Sequence, residues 1–184
     1  RMHIFFSGIG GVGIGPLALL ALDAGHQVSG SDKSESDMTK LLEDRGVKVN
    51  FDQDSKSFAT INQESPIDWF VYTAALKSEH PELAFAKQHD IKSSKRADFL
   101  NELLNEMNLK MVAVSGTHGK TTTTGMLIWL FNKLEIPVSY SVGTTLKFGP
   151  PAQYKKGSEF FVQGTAGLRQ IFFLLDCVLC WPGA

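Results

Sequence analysis

The chain has 184 residues, 43% apolar and 20% charged, with 13 Phe and 3 Trp. At roughly 100 to 200 residues per domain this is one domain, or one domain and part of another, with enough apolar material for a core, which excludes a compositionally disordered chain. The 18 Lys plus Arg against 19 Asp plus Glu give a formal charge of -1, so no global field draws nucleic acid or an anionic membrane, and an anionic ligand must be met by a local site.

His3 to Phe6 is a short apolar run ending in Ser7 and a glycine cluster, Gly8-Ile9-Gly10-Gly11-Val12-Gly13, after which Leu17, Leu19, Leu20 and Leu22 load a helix. This reads as strand, tight turn, helix, with Pro16 in the first helical turn, where its missing N–H is harmless. Gly25 ends the helix, His26 to Ser29 forms a second strand, Thr39 to Arg45 a second helix stopped by Gly46, and Val47 to Phe51 a third strand. Trp69 to Thr73 follows as a buried strand, Pro81 to His89 as a helix, and Arg96 to Met107 as an amphipathic helix carrying Phe99, Leu100, Leu103, Leu104 and Met107. A second unit opens near Lys110: Met111 to Val114 is a buried strand running into Ser115-Gly116-Thr117-His118-Gly119-Lys120-Thr121, then a helix over Thr122 to Leu134 and a strand over Pro137 to Val142. Strands alternating with helices predict a parallel α/β sheet, and the domain boundary is placed around Asn108. Arg1 to Phe6 shows no secretory leader pattern. The two cysteines, Cys177 and Cys180, give no disulfide framework, and their C-x-x-C lacks a second ligand pair for zinc, so the expected setting is a reducing cytoplasm. The apolar run Ile171 to Trp181 is interrupted by Asp176 and too short to span a bilayer, so no membrane role is expected.

Gly8, Gly10 and Gly13 satisfy G-x-G-x-x-G between a strand and a helix, with Asp32 following Gly13 by 19 residues. That is the dinucleotide-binding fingerprint, but its physics is general: glycines let backbone N–H groups at a helix N-terminus approach a pyrophosphate. Asp32 can take a cofactor ribose, or act as a turn acid beside Ser31 and Ser34. The second cluster, Gly116 to Thr121, has the arrangement in which N–H groups cradle phosphates, Lys120 reaches the terminal phosphates and the Thr121 hydroxyl ligates magnesium. It departs from G-x-x-x-x-G-K-[ST], since Val114 stands at the first glycine position. His118 touches a phosphate or simply faces solvent, Thr122 to Thr124 open the helix, and Lys95 and Arg96 either guide an anion or begin a solvated helix.

Two phosphate-binding turns about 105 residues apart, the second reading Gly-Thr-His-Gly-Lys-Thr, resemble the Mur ligases, the ATP-dependent amide-forming enzymes of peptidoglycan precursor synthesis. Further likeness lies in Val28-Ser29-Gly30-Ser31-Asp32, Tyr72-Thr73-Ala74-Ala75, the Pro81-Glu82 helix start, Arg96-Ala97 and Val112 to Thr124, so that about Met2 to Val162 is covered. The resemblance implies a Rossmann-like UDP-sugar domain over 1–108, the truncated start of a P-loop ATPase domain over 109–162, and an atypical tail over 163–184. It implies that Gly8, Ile9, Gly10, Gly11, Val12, Gly13, Ser31, Asp32, Thr73 and Ala74 hold the UDP-sugar. Gly116, Thr117, His118, Gly119, Lys120, Thr121 and Thr122 would hold ATP, with Lys120 and Thr121 catalytic and Thr121 on Mg2+. The implied substrates are UDP-N-acetylmuramate, activated as an acyl phosphate, and L-alanine, whose amine displaces the phosphate.

Two departures accompany the resemblance. After Ser158 to Val162 the family would present a Glu-Ala-Asp-Glu type segment, whereas the chain reads Gln163-Gly164-Thr165-Ala166-Gly167, and a reading-frame shift or a gene truncation near Val162 is one account of the tail. Phe51-Asp52 also stands where the family tends to have Gly-His. The chain is therefore expected to lack ligase activity alone and to expose a helix face at Met126, Leu127, Leu130 and Phe131 through which it could self-associate. Two other readings remain open: an NAD-binding module using Asp32 on the ribose, and a UDP-sugar protein that binds without turnover.

Overall fold

The computed structural model of the chain describes residues 1–142, 144–165 and 175–180. They fall into two compact units, Arg1–Leu100 and Asn101–Ala184.

The first unit is a five-stranded sheet of β1 (His3–Ser7), β2 (Gln27–Ser31), β3 (Lys48–Asn50), β4 (Trp69–Tyr72) and β5 (Lys92–Lys95), in the order β3-β2-β1-β4-β5 with every pairing parallel. Its crossovers carry α1 (Gly15–Asp23), α2 (Asp37–Asp44), α3 (Ser55–Glu64) and α4 (Pro81–Gln88), and α5 (Arg96–Glu106) follows β5 directly. A central parallel strand is covered on both faces and so needs apolar residues at successive positions. In β1 successive side chains alternate between faces. Phe5 meets Phe58 edge-on at 4.7 Å and Phe70 at 6.0 Å, while Phe6 meets Phe99 at 5.3 Å, and Phe99 meets Trp69 at 4.8 Å. Each such buried ring contributes roughly 1.5–3 kcal/mol. The winding reverses at β1, since β2 and β3 lie on one side and β4 and β5 on the other. In open α/β sheets the crevice at the carboxyl ends of the two strands flanking that reversal, here β1 and β4, is where ligands bind.

The second unit has β6 (Lys110–Ser115), α6 (Lys120–Lys133), β7 (Val138–Ser141), β8 (Ala152–Gln153), β9 (Phe160–Thr165) and β10 (Leu175–Cys180), in the order β10-β6-β9-β7-β8, parallel except for β7 with β8. Val114, Ile128, Val138, Tyr140 and Val162 form its core. The apolar face expected to be bare on α6 is half covered: Leu127 and Phe131 pack on that core, whereas Met126 and Leu130 are exposed, as is Trp129. The tail contributes β10, which pairs with β6 from Leu175 to Cys180. Its residues 166–174 and 181–184, and the side chains of the two cysteines, lie outside the described residues.

Most expected elements are present within a residue or two. The sequence reading omitted α3, β5, β8, β9 and β10. The helix α3 buries only Phe58 and Ile61 and is otherwise polar, and β5 reads Lys-Ser-Ser-Lys with Ser94 alone buried.

Candidate functional site

The turn after β1 is shaped by the end of β2. The N–H groups of Gly8 and Ile9 both donate to the Ser31 carbonyl, at 2.8 and 2.9 Å, and that of Gly10 donates to Asp32 Oδ2 at 2.7 Å. Asp32 Oδ1 accepts from the Lys33 N–H at 2.7 Å. Both oxygens of Asp32 are thus engaged by backbone, as a turn acid's are.

The glycines divide the work. Gly8 has φ +78°, which side-chain residues rarely adopt. A Cβ at Gly10 would stand 2.7 Å from Ser36 Oγ, 2.8 Å from Thr39 Cγ2 and 2.9 Å from Asp32 Oδ2, so the α2 N-terminus packs directly on the turn. Close helix packing, the usual role of the third glycine of the fingerprint, falls to Gly15, where a Cβ would collide with the Met38 side chain. At Gly13 the nearest atoms are those of the Arg96 side chain, Cδ at 3.6 Å and Nε at 3.7 Å from the Cβ position.

Of the residues expected to hold a UDP-sugar, Gly11, Val12 and Gly13 form the open half of the turn, with Val12 78% exposed. Ile9 and Ser31 are fully buried and contribute from beneath. Thr73 and Ala74 follow β4, on the far side of the strand-order reversal, so the sheet brings both sequence segments to one edge.

Under that edge is a polar cluster the sequence reading did not single out as part of the site. Glu82, at the start of α4, is 1% exposed and accepts from Ser7 Oγ at 2.6 Å. Burial pushes its carboxyl above the ordinary value, hydrogen bonds from Ser31 and Ser7 pull the other way, and Asp54 and Asp32 add to the rise. His80 lies 3.9 Å away and is itself held below its ordinary value by burial and by Lys33, so it is no cationic partner at neutral pH. Gln53 Nε2 donates to Ser31 Oγ at 3.2 Å, which fixes the loop after β3 to the same cluster.

In the second unit Gly116 to Gly119 link β6 to α6. Gly119 has φ +77° and caps α6 without a side-chain hydrogen bond, so the first-turn N–H groups of Lys120, Thr121 and Thr122 have no acceptor among the described residues. The Lys120 ammonium folds over the loop and donates to the carbonyls of Gly116 at 2.7 Å and Thr117 at 3.3 Å. Thr117, His118, Thr121 and Thr122 are exposed. Parallel pairing places Gln163 beside Ala113 and Gly164 beside Val114, next to the loop. Thr124 Oγ1 and Gln163 Oε1 are buried there without a hydrogen-bond partner among the described residues, and a Cβ on Gly164 would lie 3.3 Å from Thr124 Oγ1. This arrangement suits nucleotide phosphates. For magnesium it offers the Thr121 hydroxyl, but the described end of β9 carries an amide and a glycine in place of a carboxylate, and no group of three acidic, His or Cys residues occurs among the described residues.

The model of the Mur ligase family, catalytic domain, matches residues 3–107, more than half the chain. The chain belongs to the Mur ligase family. Among relatives of this Mur ligase chain, a UDP-N-acetylmuramate–L-alanine ligase of Agathobacter rectalis is 39% identical over 145 residues, covering 79% of this chain and 30% of that protein. One from Clostridium botulinum is 39% identical over 170 residues, covering 92% and 36%. Among solved structures, the UDP-N-acetylmuramate-alanine ligase of Thermotoga maritima has the same fold, with a TM-score of 0.79, 24% identity and coverage of 89% and 37%. The UDP-N-acetylmuramate:L-alanyl-gamma-D-glutamyl-meso-diaminopimelate ligase of Neisseria meningitides gives 0.80, 26%, 97% and 61%. The chain spans about a third of the length of the sequence relatives it matches.

Proposed function

We propose that this chain is the substrate-gathering part of an ATP-dependent ligase that joins L-alanine to the carboxylate of UDP-N-acetylmuramate in peptidoglycan precursor synthesis, in the cytoplasm. Residues 1–108 bind the UDP-sugar and 109–162 begin the ATP site. The observation that carries the reading is the pair of glycine turns, each at the carboxyl end of a parallel strand and the start of a helix, in a chain 39% identical over most of its length to proteins named for that reaction. The open N–H groups after Gly11 and the crevice between β1 and β4 receive the diphosphate, with Thr73 and Ala74 along its far wall.

ATP, when bound, supplies the phosphoryl group that activates the sugar carboxylate as an acyl phosphate. What this chain contributes is positional and electrostatic: Lys120 exchanges its two loop carbonyls for phosphate oxygens, and the first-turn N–H groups of α6 add fixed partial positive charge. Magnesium would find the Thr121 hydroxyl. The chain alone gathers ligands without ligating them, because Gln163 and Gly164 stand where the resemblance requires an acid.

Hydrogen exchange tests the reading. UDP-N-acetylmuramate should slow exchange at residues 11–14 and 73–74, and ATP with magnesium should slow residues 116–122. Absence of protection at both turns, with the ligands at millimolar concentration, would sink it.

A further inference from the structure

The two halves of the first glycine turn differ electrostatically, and the difference points to one side chain. Gly8, Ile9 and Gly10 have spent their N–H groups on the end of β2, Gly11 donates to the Gly8 carbonyl and Gly15 to that of Gly11. The N–H groups of Val12, Gly13 and Ile14 have no acceptor among the described residues. Near the spent half lies the Asp32 carboxyl group, which opposes a polyanion there. A nucleoside diphosphate with about two negative charges therefore needs a cation at the open half.

Arg96 is in that place. It opens α5 at the carboxyl end of β5, and its Cδ, Nε and Cζ lie 3.6, 3.7 and 3.9 Å from the position of a Cβ on Gly13. Those are ordinary contact distances, so Gly13 is not needed to make room within the protein. Two other exposed cations of the unit are paired, Arg45 with Asp23 at 2.7 Å and Lys48 with Glu64 at 2.7 Å. Arg96 has neither an ion pair nor a side-chain hydrogen bond among the described residues. A guanidinium presents a planar fork of donors that matches two phosphate oxygens at once, which a lysine ammonium cannot reproduce.

We propose that Arg96 grips the diphosphate of the sugar nucleotide against the open N–H groups of Val12, Gly13 and Ile14, and so sets the preference of the site for a diphosphate over a monophosphate. This rests on the reading of the turn as a UDP-sugar site. The test is calorimetric titration of the full chain and of Arg96→Ala, Arg96→Lys and Lys95→Ala with UDP-N-acetylmuramate, UDP and UMP at two salt concentrations. Loss of a charge-assisted bidentate contact predicts roughly 10- to 100-fold weaker UDP-sugar binding for Arg96→Ala. It also predicts partial recovery in Arg96→Lys, an unchanged Lys95→Ala, a shallower salt dependence and a UDP-to-UMP preference reduced toward one. Arg96→Ala or Arg96→Lys binding UDP within twofold of the parent, with the same preference over UMP, would overturn the assignment of Arg96. Failure of the parent chain to bind any of the three would instead overturn the sugar-nucleotide reading beneath it.

Discussion

Ser7 Oγ donates to Glu82 Oε2 at 2.6 Å inside the first unit, tying the end of β1 to the start of α4 directly beneath the glycine turn. A carboxyl group 1% exposed, facing hydroxyls and no cation, is costly to ionise in the fold. The same cluster reaches Ser31, whose carbonyl holds the first two N–H groups of the turn, so Glu82 supports the ligand site through the backbone of β2.

Because burial raises the Glu82 value, the folded chain holds this proton more tightly than the unfolded chain does. The group's stabilisation is fully present below the ordinary glutamate value, about 4.3, and is lost as pH rises through the raised one. Urea melts of the parent and of Glu82→Gln at several pH values should show the parent losing stability relative to the glutamine variant above about pH 4.3. A difference independent of pH, or one that grows in the parent's favour, would contradict the burial account.

The packing of Gly10 and the openness of Gly13 predict opposite outcomes for one chemical change. Gly10→Ala must displace Ser36, Thr39 or Asp32 and should cost ~1–3 kcal/mol in a denaturant melt. Gly13→Ala has the Arg96 side chain as its nearest neighbour, at ordinary contact distance, and should fall within about 0.5 kcal/mol of the parent. Equal losses in the two variants would mean that the turn is not organised as described.

Among the described residues the Lys120 ammonium bonds only to two carbonyls of its own loop, so its removal should leave the fold intact. Lys120→Ala should melt within a few degrees of the parent yet bind ATP at least about tenfold more weakly by fluorescence titration. Undiminished ATP binding would separate this loop from nucleotide phosphates.

Phe58 sits between Phe5, Phe70 and Phe85 and is 1% exposed, so Phe58→Ala should cost ~3–5 kcal/mol. Trp129 is 49% exposed on α6, and Trp129→Gln should leave stability nearly unchanged while reducing any concentration-dependent association seen by sedimentation. A larger stability loss at Trp129 than at Phe58 would reverse the assignment of core and surface.

What could be read from residues alone follows where the physics is local. Apolar runs into glycine turns locate β1 and β6 because strand, turn and helix signals agree within a dozen residues. The helix α3 shows only two large apolar positions, and its clearest mark, Asp54 accepting the Ser57 N–H at 2.7 Å as an N-cap, is easily lost in a polar stretch. Lys-Ser-Ser-Lys becomes β5 through tertiary partners: Trp69 Nε1 donates to Ser94 Oγ at 2.9 Å, and the Lys92 ammonium lies 3.5 Å above the Trp69 ring. Glu82 reads in sequence as an ordinary first-turn acid after Pro81. Its burial against Ser7 spans 75 residues of chain, and no local pattern encodes it.

The central claim is that the first glycine turn serves a sugar nucleotide, and calorimetric titration of the chain with UDP-N-acetylmuramate, and in parallel with NAD, tests it most directly. Asp32 is engaged by the N–H groups of Gly10 and Lys33, so the account predicts saturable binding of the UDP-sugar and none of NAD. Binding of NAD alone would contradict it.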